Sequence, residues 1–188
     1  ALSYFFEPIL KNHDKSHVEI YCYSDVHIPD DTTERLKKMS DKWCSTLEMN
    51  DKEVAQKIYE DEIDILIDLA GHTAKNRLRI FSYNPAPIQI TYLGYCNTSG
   101  LKSMDYWITD TVLHPEDTVE LAVENIIRLQ RCWTCYQPPA DAPEVKPDTL
   151  ANNSITFGSF NNVSKLSNVV IECWSRLLKE VENSRLIL

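Results

Sequence analysis

Three short polar segments of this chain carry side chains suited to holding a ligand, and each follows an apolar run. Ala70, Gly71, His72 and Thr73 come directly after residues 63–69 (IDILIDL). Residues 94–100 (GYCNTSG) follow residues 89–93 (QITYL), and residues 159–165 (SFNNVSK) follow another apolar run. In the third segment Asn161, Asn162 and Ser164 supply polar groups and Lys165 supplies a full positive charge. Free amides at the start of a following helix would add partial positive charge, so the combination suits a phosphate or diphosphate. Ordinary helix capping by Ser164 or Ser167, with a solvated lysine, accounts for the same residues.

In the second segment two glycines allow close backbone approach, and Asn97, Thr98 and Ser99 can bond to hydroxyl groups. Those are also the usual residues of a turn. His72 can serve as acid, base or ligand clamp, or can simply be satisfied by a neighbouring carbonyl. Cys132-Trp133-Thr134-Cys135 has the spacing of a redox pair or half a zinc site. No second ligand pair lies nearby and no helix start follows, so neither metal nor redox chemistry is expected there. The chain lacks Gly-x-Gly-x-x-Gly, Gly-Lys-Ser/Thr and Gly-x-Ser-x-Gly, which removes the usual support for dinucleotide, P-loop and serine-hydrolase chemistry.

These segments need elements to position them. Residues 2–10 read as a helix interrupted at Pro8, and residues 17–23 (HVEIYCY) alternate as a strand. Asp30, Asp31 and Thr32 open a polar helix to about Met39, residues 43–47 form a short strand, and Asp51 starts a helix with Val54, Ala55 and Ile58 on one face. The IDILIDL run has the pattern of a strand covered on both faces. Residues 74–83 carry Leu78 and Phe81 at helical spacing, closed by Pro85 and Pro87. Residues 88–93, 106–109 and 126–129 are further strands.

Residues 138–153 hold four prolines and no periodicity, which predicts a linker. Beyond it come a strand at 155–160, a helix with Leu166, Val169, Val170, Cys173, Trp174, Leu177, Leu178 and Val181 on one face, and a last strand ending at Leu188. Strands alternating with helices predict α/β architecture with parallel sheets, in two units covering residues 1–150 and 151–188. In such sheets ligands bind at the carboxyl ends of strands, where all three polar segments fall.

Composition narrows the function. Apolar residues make up 43% of the 188 and charged residues 25%, a balance that gives a packed core rather than disorder. A net charge of −9 argues against nonspecific nucleic-acid binding, and no apolar run reaches the ~20 residues of a membrane span. Six scattered cysteines and the lack of a signal sequence predict reduced thiols and a cytoplasmic protein. No initiator Met is present and the apolar end at Leu188 reads as a strand in mid-sheet, so the chain is expected to be a piece of a longer protein.

Residues 61–110 (DEIDILIDLAGHTAKNRLRIFSYNPAPIQITYLGYCNTSGLKSMDYWITD) strongly resemble the catalytic region of O-linked N-acetylglucosamine transferases, the family that includes plant SPINDLY-like proteins. ITFGSFNNVSKLS at 155–167 resembles the opening of that family's second lobe, and YFFEPIL and VEIYCYS near the start fit as well. The resemblance implies a GT-B glycosyltransferase: an N-terminal Rossmann-like lobe followed by the beginning of a second one. It implies transfer of N-acetylglucosamine from UDP-GlcNAc to Ser or Thr of proteins, inverting, with no cofactor or catalytic metal. It places Lys165 on the UDP diphosphate and Asn162, where Gln is common, near the nucleotide. Leu93, Gly94, Tyr95 and the following Cys96, Asn97 and Thr98 would line the sugar pocket, with His72 at the cleft edge.

The chain also departs from that family. Cys96 replaces a proline, Trp107 an arginine, and Gln130-Arg131 a Pro-Gly. The family's proposed catalytic histidine would lie upstream of Ala1, and an aspartate sometimes proposed as base aligns with Gln56. Acceptor-recruiting tetratricopeptide repeats would lie upstream and most of the second lobe downstream, so residues 1–188 alone are expected to be inactive. A noncatalytic binding or scaffold module of the same fold stays open as the other reading.

Overall fold

A computed structural model describes residues 2–145 and 154–188. The chain forms two compact units, Ala1–Ala140 and Asp141–Leu188. The expected linker lies outside the described residues for its part from 146 to 153, and the expected boundary at 150 falls within that part.

The first unit opens with helix α1 (Ser3–Asn12), which runs straight through Pro8. A proline in a helix leaves the carbonyl four residues back without its donor. Here that carbonyl, on Tyr4, accepts the Gln137 N–H at 2.9 Å, so the helix continues where an interruption was expected. Strand β1 (Tyr21–Ser24) starts later than its alternating sequence suggested. Asp14 accepts the N–H and the hydroxyl of Ser16 at 2.9 and 2.6 Å, folding the preceding residues into a turn.

Helix α2 (Asp31–Met39) is capped by Asp30, whose carboxylate accepts the Thr33 N–H at 2.8 Å. Strand β2 (Lys42–Ser45) follows, then α3 (Asp51–Glu60), capped reciprocally by Asn50 and Glu53. Strands β3 (Ile65–Asp68), β4 (Ile88–Thr91), β5 (Tyr106–Asp110) and β6 (Asn125–Leu129) complete the unit.

All pairings are parallel: β1 with β2 in one sheet, and β3-β4-β5-β6 in a second. The core lies on one face of the second sheet, where Val54, Ala55 and Ile58 of α3 meet Leu66, Leu78, Ile80, Phe81, Ala86 and Met104. Tyr23 of β1 and Met49 pack against the same cluster.

Two expectations change. The IDILIDL strand is covered on one face only: Leu66 and Asp68 are buried, while Ile65 and Ile67 stay 49% and 45% exposed. Its apolar residues report what could be covered, not what these residues cover by themselves. The helix expected over 74–83 shrinks to a 3-10 helix, Leu78–Tyr83. Lys75 takes a φ of +63°, the Asn76 side chain captures the Leu78 N–H, and Arg77 is drawn into ion pairs, so the first turn cannot form.

The second unit holds parallel strands β7 (Thr156–Gly158) and β8 (Arg185–Ile187) and helix α4 (Asn168–Glu180), capped by Ser167. Of the expected apolar face, Leu166, Val170, Trp174, Leu178 and Val181 are half-buried, whereas Val169, Cys173 and Leu177 are exposed. No described helix is long and apolar enough to cross a membrane.

Ile58 is 2% exposed and its neighbour Tyr59 is 68% exposed. Ile58→Ala is therefore expected to cost about 2–5 kcal/mol in urea unfolding, against roughly 0.5 kcal/mol or less for Tyr59→Ala.

Candidate functional site

The carboxyl ends of β3, β4 and β5 each finish in a polar residue that organises the loop beyond it. Asp68 ends β3 with 5% of its surface exposed, and an acid so deeply buried needs donors. It accepts the N–H groups of Ala70 and Gly71 at 3.0 and 2.9 Å and the hydroxyl of Thr91, at the end of β4, at 2.9 Å. One carboxylate thereby ties the first two polar loops together.

Asp110 ends β5 and accepts N–H groups from Val112, Leu113 and Trp133 at 2.8–2.9 Å. The bonds from Leu113 and Trp133, working against burial, hold its carboxyl below the usual aspartate range.

The two loops also interlock sterically. Gly71 sits at φ +52°, and a Cβ there would stand 2.2 Å from the Tyr95 Cβ. A Cβ on Gly94 would stand 1.9 Å from the Leu69 carbonyl oxygen. Next to Gly94, Leu93, buried and not a glycine, is held at φ +74° while the Gly94 N–H reaches back to the Tyr92 carbonyl at 2.9 Å. That is a γ-turn with positive central φ, a rare and strained conformation of the kind that clusters at ligand clamps.

His72 is exposed at the loop edge. Its Nε2 lies 2.8 Å from the Ser99 carbonyl and its ring stands edge-on to Tyr95 with centroids 5.4 Å apart. Since a carbonyl only accepts, the Nε2 carries the hydrogen and Nδ1 is left with a free lone pair. His72 can thus accept a proton or a hydroxyl hydrogen bond while its ring stays fixed.

Thr98 and Ser99 turn inward. Glu124, 6% exposed, accepts the Thr98 hydroxyl at 2.6 Å, the Ser99 N–H at 2.7 Å and the Ser99 hydroxyl. Burial opposes the charge of Glu124, but these hydrogen bonds outweigh it and hold its carboxyl below the ordinary glutamate range. Asn97 and Cys96 are exposed, and Asn97 accepts the Thr98 N–H at 2.7 Å. Of the hydroxyls read as free for a ligand, those of Thr98 and Ser99 are committed to Glu124.

Arg77 braces the neighbouring turns. Its guanidinium meets Asp51 at 2.6 Å, Asp25 at 3.0 Å and the Met49 carbonyl at 3.0 Å. The loops after β1, β2 and β3 are held by this one side chain.

In the unit Asp141–Leu188, Asn162 caps the 3-10 helix Val163–Lys165 by accepting the Ser164 N–H at 3.0 Å. Lys165 ends that turn, is exposed, and joins no ion pair among the described residues. Ser167 caps α4, so Lys165 precedes the helix rather than lying in its first turn.

Sequence reasoning missed Asp68, Asp110, Glu124 and Arg77. An acid closing an apolar strand was the available signal for Asp68 and Asp110. Trp107, where arginine is common in the resembling family, is 1% exposed against the ring of His114, and Gln56 is exposed and bonded to Glu60. A groove of about 410 Å³ over β1 and β2, lined by Tyr21, Tyr23, Lys42, Lys57 and Asp61 among others, shares no residue with the loops above.

Residues 1–134 match the family described as glycosyl transferase family 41. Over 191 residues, 99% of this chain and 21% of the relative, the chain is 45% identical to a "Probable UDP-N-acetylglucosamine--peptide N-acetylglucosaminyltransferase SPINDLY" of Eustoma exaltatum subsp. russellianum. It is 42% identical over 117 residues, 60% of this chain and 10% of the relative, to a UDP-N-acetylglucosamine--peptide N-acetylglucosaminyltransferase of Caenorhabditis elegans. A solved mutant of the Thermobaculum terrenum O-GlcNAc transferase superposes with a TM-score of 0.91 at 36% identity, covering 99% of this chain and 35% of that one. The chain thus spans about a fifth of the length of the SPINDLY relatives it matches.

Two outcomes test the site's construction. Gly94→Ala is expected to destabilise by about 3 kcal/mol or more, because its Cβ meets backbone, whereas Gly100→Ala, in open space at φ +72°, costs about 1–2 kcal/mol. Glu124 titrates lower when folded, so its contribution is complete above the ordinary glutamate pKa, about 4.3, and is lost as pH falls through the folded value. Glu124→Gln should flatten the acid limb of the stability–pH curve, read by urea unfolding between about pH 3 and 5.

Proposed function

This chain belongs to glycosyl transferase family 41, and on that premise we propose that the longer protein transfers a sugar from a nucleoside diphosphate to Ser or Thr hydroxyls of acceptor proteins. UDP-N-acetylglucosamine is the donor, the substrate named in the curated relatives. The observation that carries the reading is the strained, interlocked pair of loops at the ends of β3 and β4. It gives a rigid backbone wall at the place where parallel sheets take ligands.

The residues divide the work. Leu93, Gly94 and Tyr95 form the wall of the sugar pocket, with Cys96, Asn97 and Thr98 at its rim and His72 at the edge. Lys165, aided by Asn162, neutralises the diphosphate, and its exposure, with no acidic partner among the described residues, leaves its charge available. The acceptor oxygen bonds to the anomeric carbon from the face opposite the leaving group and inverts it. The bond to the diphosphate oxygen breaks, and the departing charge is stabilised electrostatically without a catalytic metal or cofactor. The hydroxyl proton passes to a base outside residues 1–188. Residues 1–188 alone are inactive, because preorganisation fails when part of the constellation is absent. Acceptors are recruited by upstream repeats. The protein works in the cytoplasm, a setting that suits six free cysteines.

Calorimetry on the full-length protein tests the donor site. UDP should bind, and Lys165→Ala should weaken it by about 1.5–3 kcal/mol as a charge-assisted contact is lost. Peptide transfer with a panel of UDP- and GDP-sugars then identifies the donor. If no nucleotide diphosphate binds and no sugar is transferred, the transferase reading fails and a noncatalytic scaffold of the same fold replaces it.

A further inference from the structure

Glu124 stands at the entry to β6, 6% exposed, and no cation pairs with it among the described residues. A carboxylate without a counter-ion is a costly group to bury, because desolvation opposes its charge. What it receives instead is three hydrogen bonds from two consecutive residues, Thr98 and Ser99. The use of that grip shows at the next group along the chain. The Ser99 carbonyl accepts the hydrogen bond from the His72 Nε2 at 2.8 Å.

The charge of Glu124 dictates the direction of every bond in this loop. An ionised carboxylate only accepts, so the hydroxyls of Thr98 and Ser99 both turn their hydrogens toward it. Their lone pairs then face back onto the loop. The Thr98 hydroxyl oxygen accepts the Gly100 N–H at 3.1 Å and the Val123 N–H at 3.4 Å. The Ser99 hydroxyl oxygen accepts the Leu101 N–H at 3.2 Å. Ser99, 3% exposed, is thus held at its own N–H, at its side chain and through the amide two residues on. Gly100 takes φ +72°, which turns the chain away just after the Ser99 carbonyl. That carbonyl has one orientation, and it faces His72.

His72 depends on it. Among the described residues the imidazole has one polar partner, the Ser99 carbonyl, and one ring contact, the edge-on approach to Tyr95 at 5.4 Å. The hydrogen bond made by one ring nitrogen decides which tautomer is present and what the other nitrogen offers. With Nε2 donating to Ser99, Nδ1 is an acceptor. Without a fixed carbonyl, an exposed ring turns and exchanges tautomers, and the acceptor is lost for part of the time.

We propose that Glu124 is the positioning residue for His72: by gripping Ser99 it fixes the imidazole with Nδ1 as an acceptor, and His72 so held takes a hydroxyl of the donor sugar. That role rests on the donor pocket proposed above, since His72 stands against Tyr95 of its wall. A sugar hydroxyl is the fitting partner, because it donates one hydrogen where Nδ1 has one lone pair to offer. Glu124 acts only through the loop, from behind Thr98 and Ser99. Its negative charge polarises both hydroxyls, which strengthens the bonds they accept from Gly100 and Leu101.

Transfer kinetics on the full-length protein, with the sugar nucleotide that turns over, read the coupling. Glu124→Gln keeps the shape of the side chain and removes its charge. It should raise KM for the donor about tenfold and leave kcat within about threefold, as expected for a contact made alike in the ground and transition states. UDP, which lacks the sugar, should bind with unchanged affinity. In a His72→Phe background the same substitution should change the donor KM by no more than about twofold, because its effect passes through the missing imidazole. An equal change in both backgrounds would show that Glu124 only holds the loop and would overturn the proposal. So would an unchanged donor KM, or an effect confined to KM for the acceptor peptide.

Solid-state NMR of the full-length protein with ring-15N histidine reads the tautomer without turnover. His72 is identified by the signals lost in His72→Phe, at about pH 8, above the ordinary imidazole range near 6.5. The wild type should carry its hydrogen on Nε2 alone, and Glu124→Gln and the milder Ser99→Ala should each give a mixture of tautomers. A hydrogen on Nδ1 in the wild type, or an unchanged ring in both variants, would overturn the positioning role. A protein that transfers no sugar would overturn the donor pocket and the sugar ligand of His72 with it, while the tautomer still decides whether Glu124 sets the ring.

Discussion

The buried carboxylate of Asp68 is the interaction on which the first unit's functional end depends. It closes a strand whose other residues are apolar, and at 5% exposure it persists only because two backbone N–H groups and the Thr91 hydroxyl converge on it. Those bonds set the path of the chain from Leu69 to Gly71. That path brings the Leu69 carbonyl against Gly94 and Gly71 against Tyr95, closer than any side chain would allow. Leu93 is then forced into positive φ. The strain is local, and the packing around it is dense enough to hold it.

The same logic recurs around the sheet. Asp110 gathers the loop after β5 and the segment after β6, and Glu124 pins the far end of the loop after β4. Arg77 adds the loops after β1 and β2 through Asp25, Met49 and Asp51. Four charged side chains, each satisfied by partners from other segments, thus order most of the surface at the strand ends. Their networks are interior or half-buried, where a hydrogen bond to a charged group is worth more than at an open surface. The exposed side chains outside these networks include His72, Asn97 and Cys96.

Much of the fold was legible in the sequence because each element carried its own signal. The caps at Asp30 and Asn50, the apolar run before Gly71 and the alternation of strands with helices led to parallel sheets, and parallel sheets are present. The failures have physical causes as specific as the successes. Pro8 did not break α1 because Gln137, far along the chain, supplies the partner for Tyr4. Residues 74–77 did not become helical because Arg77 is worth more to Asp25 and Asp51 than to a helix turn. Ile65 and Ile67 read as buried, and the residues that would cover them are not among the neighbours present.

By itself the sequence determined the fold class, the family and the positions of the polar loops, since periodicity, capping and collinear motifs are local along the chain. It also singled out His72, the GYCNTSG loop and Lys165 as residues able to meet a ligand. Only the tertiary structure decided that Thr98 and Ser99 serve Glu124, that His72 offers Nδ1, and that Leu93 is held at positive φ beside Gly94. Those outcomes depend on contacts between residues as far as 27 positions apart, as from His72 to Ser99, and no local pattern encodes which distant partner a buried charge will find.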